Sequence, residues 1–293
     1  MKDPIILTKH LSHTYQSKHA GPLQKAALID INLEIARGSC VAIIGVTGSG
    51  KSTLVQHFNG LLRPTSGTVI VNGIDVNARK IDLAALRQHV GMLFQFPEAQ
   101  LFERTVYADV AFGPRRMKLG RREIRARVIN ALDMVGLPHK EFAQRSPFEL
   151  SGGQKRRAAL AGVLAMSPSV LVLDEPTVGL DAAGRSEFYA YLQRIQQEQG
   201  VTIVLVSHDM AEVATLADWL FVLHEGQLVM QGEPRHVFSE SDALRQYGLA
   251  TPPLSELLSL LRKAGMSISE EVFTLEEAFS ALSAIKKVPG KGY

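Results

Sequence analysis

The sequence predicts an α/β fold: a parallel core sheet with helices on both faces, an antiparallel β subdomain, an inserted helical subdomain and a small helical C-terminal extension. Three observations carry this. Val41-Ala42-Ile43-Ile44 and Val170-Leu171-Val172-Leu173 are apolar throughout, and Val201 to Val206 is of the same continuous type with Thr202 its one polar residue, as strands covered on both faces should be. Helical stretches at Lys51 to Leu62, Gly152 to Met166 and Ala183 to Gln197 lie between them, which favours parallel pairing through crossover helices. Ile29, Ile31, Leu33 and Ile35 alternate with Asp30, Asn32 and Glu34. Period two marks a strand with one wet face, hence an antiparallel sheet.

The remaining elements follow in order. Asn72-Gly73 is a hairpin signal that extends the antiparallel layer. A mostly helical block is expected from about Pro97 to Leu164, interrupted by Pro114, Pro138 and Pro147 and inserted between strands of the parallel core. Thr251-Pro252-Pro253 marks a change of character beyond about residue 245. Leu254, Leu257, Leu258 and Leu261 then stand at i, i+3, i+4 and i+7, one apolar helix face. Thr274 followed by Glu277 reads as a capping box opening a second helix through Phe279, Leu282 and Ile285. The division expected is a domain over 1–245, with its helical subdomain at about 97–164, and a helical extension over 246–293.

Composition narrows the function classes. The chain has 293 residues, 32 Lys+Arg against 29 Asp+Glu, and 46% hydrophobic residues. That is a foldable globular composition. A net charge of +3 is too small to point to nucleic acid. Cys40, the single cysteine, cannot close an intramolecular disulfide, which argues for a reducing compartment. No apolar run approaches the roughly 18–20 residues that span a bilayer; Ala158 to Met166 follows directly on Lys155, Arg156 and Arg157. MKDPIILTKH lacks the apolar core of a signal peptide. The expectation is a cytoplasmic protein that serves any membrane from outside the lipid.

Gly45-Val46-Thr47-Gly48-Ser49-Gly50-Lys51-Ser52 fits the phosphate-loop pattern G-x-x-x-x-G-K-[ST], after a buried strand and before a helix. Glycines let backbone N–H groups converge on phosphate oxygens, and the helix N-terminus adds partial positive charge. Lys51 supplies a full charge to the β- and γ-phosphates, and Ser52 a hydroxyl to Mg²⁺. A dinucleotide fingerprint would need glycine where Thr53 stands. The ligand expected is a nucleoside triphosphate.

Leu171-Val172-Leu173-Asp174-Glu175 supplies the other half. An apolar strand ending in carboxylates puts Asp174 at the carboxyl edge of the sheet, where open α/β folds bind ligands. Asp174 can hold the Mg²⁺ shell. Glu175 points elsewhere and can take a proton from an attacking water.

With Leu150-Ser151-Gly152-Gly153-Gln154 between them, the sequence resembles the ATP-binding cassette (ABC) family of transport ATPases, over about residues 5–235. The resemblance implies a P-loop NTPase fold and further roles. Tyr15 would stack on adenine, and Gln95 would join the nucleotide and Mg²⁺ site to the transmembrane partner. Gly179-Leu180-Asp181 would touch an opposing subunit, and His208 would sit near the γ-phosphate. Ser151 caps the following helix, and its N–H groups form an anion site of their own. In the family that site closes on ATP held by the other subunit of a head-to-tail dimer, so ATP and Mg²⁺ are the ligands implied.

Phe94 to Phe102, then Thr105 to Pro114, look like the ATPases of energy-coupling factor importers, which take up vitamins and transition-metal ions. Gly48 to Gly60 and Ala161 to Met166 favour the second of the two paralogous ATPases those importers use. The implied partners are a second ATPase (a paralogue, or a copy of this chain), a transmembrane scaffold and a separate membrane subunit that binds the solute. The place implied is the cytoplasmic face of the cell membrane, with the tail past residue 245 helping to pair the ATPases. Departures are slight: Lys155 stands where the family usually has methionine, and Ala182 where it usually has proline.

Other features are weighed beside these. Phe94, Phe96, Leu101 and Phe102 are satellite core or, beside Gln95, a docking groove for a short helix of a membrane subunit. Arg115, Arg116, Arg121, Arg122, Arg125 and Arg127 read as a solvated face, with partner or anionic lipid contact as the alternative. His10 and His13 fall on opposite sides of a strand and cannot chelate together. Cys40 reads as small core. The rival functions are an ATPase of an ordinary ABC importer or exporter, and a soluble cassette acting on nucleic acid. The second would carry a long coiled-coil insertion or tandem cassettes, and this sequence has neither.

Overall fold

The structure, a computed structural model, describes residues 4–15, 26–266, 268, 272 and 275–285. The antiparallel layer comprises β1 (Pro4–Thr14), β2 (Ala26–Ala36), β4 (Ser66–Val71) and β5 (Ile74–Asp75), in the order β2-β1-β4-β5. Asn72 and Gly73 link β4 to β5 with φ of 49° and 79°, the left-handed pair a two-residue hairpin of type I′ requires.

The alternation in β2 holds only from Ile31 onward. Ile31, Leu33 and Ile35 are buried, but Ile29 is exposed and Leu28 is fully buried in its place. Asp30 has φ 52° and the pairing with β1 shifts register there. A bulge adds one residue and exchanges the two faces, which period counting alone does not reveal.

The core sheet has β3 (Cys40–Ile44), β6 (Val90–Leu93), β7 (Val170–Asp174), β8 (Thr202–Val206) and β9 (Trp219–His224) in parallel, with β10 (Gln227–Gly232) antiparallel at one edge. Its order is β10-β9-β3-β8-β7-β6. Successive side chains go to opposite faces. Val170, Val172, Val204 and Val206 pack against the antiparallel layer and α1 (Lys51–Phe58). Leu171, Leu173, Ile203 and Leu205 face α7 (Gly152–Leu164) and α8 (Ala182–Gln199). This two-sided burial is why these strands read as nearly unbroken apolar runs.

α1 ends at Phe58, short of the expected Leu62. Gly60 is left-handed, Leu61 N–H returns to the Gln56 carbonyl, and Gly60 N–H to that of His57. This is the Schellman stop that a glycine makes inexpensive. α2 (Leu83–His89) precedes β6. Between β6 and β7 run α3 (Val106–Val110), α4 (Phe112–Arg116), α5 (Arg121–Met134), α6 (His139–Phe142) and α7. Pro114 lacks the N–H that would bond the Val110 carbonyl, and the helix divides into α3 and α4 at Ala111.

After β8 come α9 (Met210–Leu216), α10 (Pro234–Ser239), α11 (Ser241–Gln246), α12 (Pro253–Lys263) and α13 (Leu275–Ile285). In the tail Leu258 is buried, and Leu254, Leu261 and Leu282 close around it. Leu257 and Phe279, expected on the packed faces, are exposed instead, as is Leu260. The tail is fastened by ion pairs of Arg245 with Glu256 and Arg235 with Glu277. Thr274 of the expected capping box lies outside the described residues. Among the described residues no helix is long and apolar enough to cross a membrane.

Candidate functional site

The chain turns sharply where β3 delivers it to α1. A Cβ on Gly45 would fall 2.3 Å from the Leu223 carbonyl oxygen, and one on Gly50, at φ 104°, 2.6 Å from that of Ala27. Only glycine fits at either place. Val46 lies against the core and Ser49 is buried, while the loop wraps the Lys51 side chain. Its Nζ donates to the carbonyls of Gly45 (2.8 Å) and Val46 (3.0 Å). Burial pulls the Lys51 pKa down, and the Glu175 and Asp174 carboxylates push it back up.

Asp174 closes β7 and is buried. Burial raises its pKa, and a hydrogen bond with the Ser52 hydroxyl acts the other way. Glu175 follows in the left-handed region at φ 49°. Left-handed non-glycine residues are uncommon, and they gather at functional sites. Gln95, from the loop after β6, donates Nε2–H to Glu175 Oε2 at 3.0 Å. His208, after β8, brings Nδ1 within 3.3 Å of Glu175 Oε1. Three loops at the carboxyl edge of the sheet thus converge on one carboxylate, as open parallel sheets favour.

Tyr15 stands half-exposed past the end of β1, its hydroxyl 3.0 Å from Thr53 Oγ1. Tyr15, Thr47, Gly48, Gly50, Lys51, Ser52, Thr53, Gln95, Asp174 and Glu175 line one cleft of about 430 Å³. His208 and Gly179 line an adjoining pocket with Glu175. Ser52, Asp174 and Gln95 offer hydroxyl, carboxylate and amide oxygens, hard donors that suit Mg²⁺. Among the described residues no three His, Cys, Asp or Glu side chains cluster as an all-protein metal cage, the arrangement Mg²⁺ uses least.

Ser151, Gly152, Gly153, Gln154 and Asp181 stand apart from the lining of that cleft. Ser151 caps α7 as expected, and the structure adds a full capping box: its Oγ accepts Gln154 N–H (3.3 Å) and its own N–H donates to Gln154 Oε1 (3.0 Å). Asp181 caps α8 through Gly184 N–H at 2.8 Å. From sequence, Asp181 reads only as a contact residue. Of the expected aromatic cluster, Phe94 packs on the core and Leu101 is buried, while Phe96 and Phe102 are exposed. Phe102 meets Phe112 edge-on at 5.0 Å, with Arg116 over the Phe112 ring. These rings border a groove floored by Ala159, Val163 and Met166. Arg115, Arg116, Arg121, Arg122 and Arg125 are exposed; Arg127 is half-buried and bonded to Glu123 and the Met166 carbonyl.

The sequence sets His10 and His13 on opposite sides of β1 and gives no role to His57, Arg156 or Glu212. His10 is exposed beside Asp30, but His13 turns inward to His57, Nδ1 to Nε2 3.2 Å. Arg156 is buried, donating to the Val178 carbonyl and pairing with Glu98. Glu212, four residues past His208, is buried against Ser207 and Thr177. An acid in the first turn of a helix ordinarily signals only helix-dipole compensation, so nothing distinguished it.

Residues 28–178 match the ABC transporter family. The chain is 47% identical over 280 residues to the energy-coupling factor transporter ATP-binding protein EcfA2 of Clostridium tetani, covering 96% of each chain. It is 49% identical over 282 residues to the protein of that name from Symbiobacterium thermophilum, again 96% of each. Among solved structures it is similar to cbiO1 of Clostridium perfringens, part of the ABC transporter complex cbiONQ. That match has a TM-score of 0.73 and 42% identity, over 88% of this chain and 100% of the other. A dimeric ATP-binding cassette, MJ0796, bound to ADP and Pi has TM-score 0.69 and 30% identity over 78% and 98%.

Proposed function

The chain belongs to the ABC transporter family, and from that premise we propose how its residues divide the work. It is an ATPase that energises uptake through an energy-coupling factor transporter. The observation that carries the mechanism is the triad of Gln95, Glu175 and His208 beside the Lys51 loop.

Lys51 binds the β- and γ-phosphates, with the loop N–H groups around it. Tyr15 stacks on the adenine. Ser52, Asp174 and Gln95 would hold Mg²⁺, which when bound neutralises charge on the phosphate oxygens. Glu175 takes the proton of the attacking water, and His208 steadies the γ-phosphate.

The N–H groups of Gly152 and Gly153, fixed by the Ser151–Gln154 box, form a second anion site. Because it stands outside the Lys51 cleft, it serves ATP on a neighbouring ATPase in a head-to-tail pair, with Asp181 beside the seam. A paralogue is the neighbour we favour, paired also through the tail past residue 245. The Phe96, Phe102 and Phe112 surface receives a short helix of a transmembrane scaffold, and Gln95 reports that contact to Glu175. Solute binding falls to a separate membrane subunit, and this chain lies peripherally at the cytoplasmic face. Purifying the intact membrane assembly and identifying its subunits by mass tests this. A second ATPase and a scaffold are expected; a lone chain hydrolysing ATP at the full rate would defeat it.

A further inference from the structure

Glu212 is a buried carboxyl that the hydrolytic scheme above does not use. It sits in the first turn of α9, 2% exposed. Its Oε2 accepts from Ser207 Oγ–H at 2.5 Å and from Thr177 Oγ1–H at 3.4 Å. Ser207 Oγ in turn accepts Asp209 N–H at 3.0 Å, so the hydroxyl is held from both sides across the turn that carries His208. Asp209 Oδ1 accepts the N–H groups of Ala211 and Glu212, which fastens that turn to α9. Thr177 belongs to the other segment, two residues beyond Glu175.

A buried carboxyl is expensive to keep unless its bonds fix something. Here burial pushes the Glu212 pKa up to about 7, with the Asp209 carboxylate adding to the rise and the Ser207 hydroxyl opposing it. The two segments it joins bear the two side chains that meet at 3.3 Å, His208 and Glu175. His208 is itself exposed, so packing does little to hold its ring. What fixes it is the backbone of the Ser207–Asp209 turn.

We propose that Glu212 is a positioning residue for ATP hydrolysis, tying the Ser207–Asp209 turn to Thr177 so that His208 and Glu175 keep their spacing. The inference rests on reading Glu175 and His208 as the hydrolytic pair. Glu212 touches neither the nucleotide cleft nor Lys51, so it acts on turnover and leaves ATP affinity alone.

The test measures steady-state kcat and KM for ATP in the assembled transporter for Glu212→Leu, Glu212→Gln, Ser207→Ala and the Ser207→Ala/Glu212→Leu double variant. A misplacement of about 1 Å can cost roughly 10²-fold. Glu212→Leu is therefore expected to lower kcat by about tenfold or more, with KM within about twofold. Glu212→Gln keeps an oxygen acceptor for Ser207 and restores most of the rate. Ser207→Ala falls as far as Glu212→Leu, and the double variant no further, because both cut the same link. Unchanged kcat in Glu212→Leu overturns the proposal, as does a loss of kcat matched by a rise in KM, or failure of glutamine to rescue. Should Glu212→Leu not assemble, Ser207→Ala decides alone: full kcat there overturns it. Glu175→Gln runs alongside, and wild-type turnover in that variant overturns the hydrolytic reading itself, whatever Glu212 does.

Discussion

Gln95 donates its side-chain amide to Glu175 across 3.0 Å, although 80 positions separate them in the chain. The bond joins the loop after β6 to the end of β7, and the loop after β6 leads directly to the exposed Phe96 and Phe102. One side chain thus links the loop that bears those exposed rings to the carboxylate. Glu175 is held between that amide and His208, at the edge of the cleft that the phosphate loop lines.

Glu175→Gln keeps the shape and a hydrogen-bonding oxygen but removes the base. A general base contributes typically about 10²–10⁴ in rate, so turnover is expected to fall by that factor while ATP binding survives. Phosphate release and equilibrium nucleotide binding, measured on the same preparation, check it. Undiminished hydrolysis would take Glu175 out of the role.

Lys51→Ala is expected to act on binding instead. The Lys51 ammonium spends two of its three donors on Gly45 and Val46 carbonyls, which leaves one for a phosphate oxygen. Charge-assisted bonds contribute about 1.5–3 kcal/mol, roughly a 10–150-fold loss in ATP affinity. Titration with a fluorescent ATP analogue reads it directly.

Of the parallel strands, β3, β7 and β8 were legible because burial on both faces leaves almost no polar position to confuse them, whereas β6 and β9 were not named; the phosphate loop was legible because its spacing is tied to backbone geometry. The Ser151 cap was legible for the same local reason. Ile29 was misjudged because a single left-handed residue, Asp30, reverses which side faces the core. Leu257 and Phe279 were misjudged because helical spacing says that a stripe exists, not how wide the covered part is. His57 and Glu212 were invisible because their partners, His13 and Thr177, are 44 and 35 residues away. Pairings of that kind come from topology, and no local pattern encodes them.

Ser151→Ala separates the two tasks assigned to that residue. Loss of an N-cap costs about 1 kcal/mol of stability, so a small drop in melting temperature is expected of the isolated chain. If α7's N-terminus completes the neighbour's site, the variant also fails to form the ATP-dependent pair in a Glu175→Gln background, while its own ATP affinity stays near normal. Sedimentation with and without ATP distinguishes this from a purely structural cap, which would melt lower yet still pair.

Two buried groups give stability an unusual dependence on pH. His57 is fully buried between His13 and the Thr53 carbonyl, and burial pulls its pKa from 6.5 to about 4. The unfolded chain therefore binds the proton first, and stability is lost as pH falls from about 6.5 to about 4. Glu212 has the opposite sense. Burial, with the Asp209 carboxylate adding to it, pushes its carboxyl up to about 7 when folded from an ordinary value of 4.5, against the opposing hydrogen bonds of Ser207, Tyr189 and Thr177. Here the folded state holds the extra proton, so stability is lost as pH rises from about 4.5 through about 7. The two slopes oppose each other between those limits, and a variant is needed to expose either. Glu212→Gln removes only the second, so its stability relative to wild type should improve by about 2–3 kcal/mol between pH 4.5 and pH 8. Urea unfolding of both proteins at four or five pH values measures that difference, and a flat difference across the range would mean Glu212 is already ionised in the folded chain at pH 5.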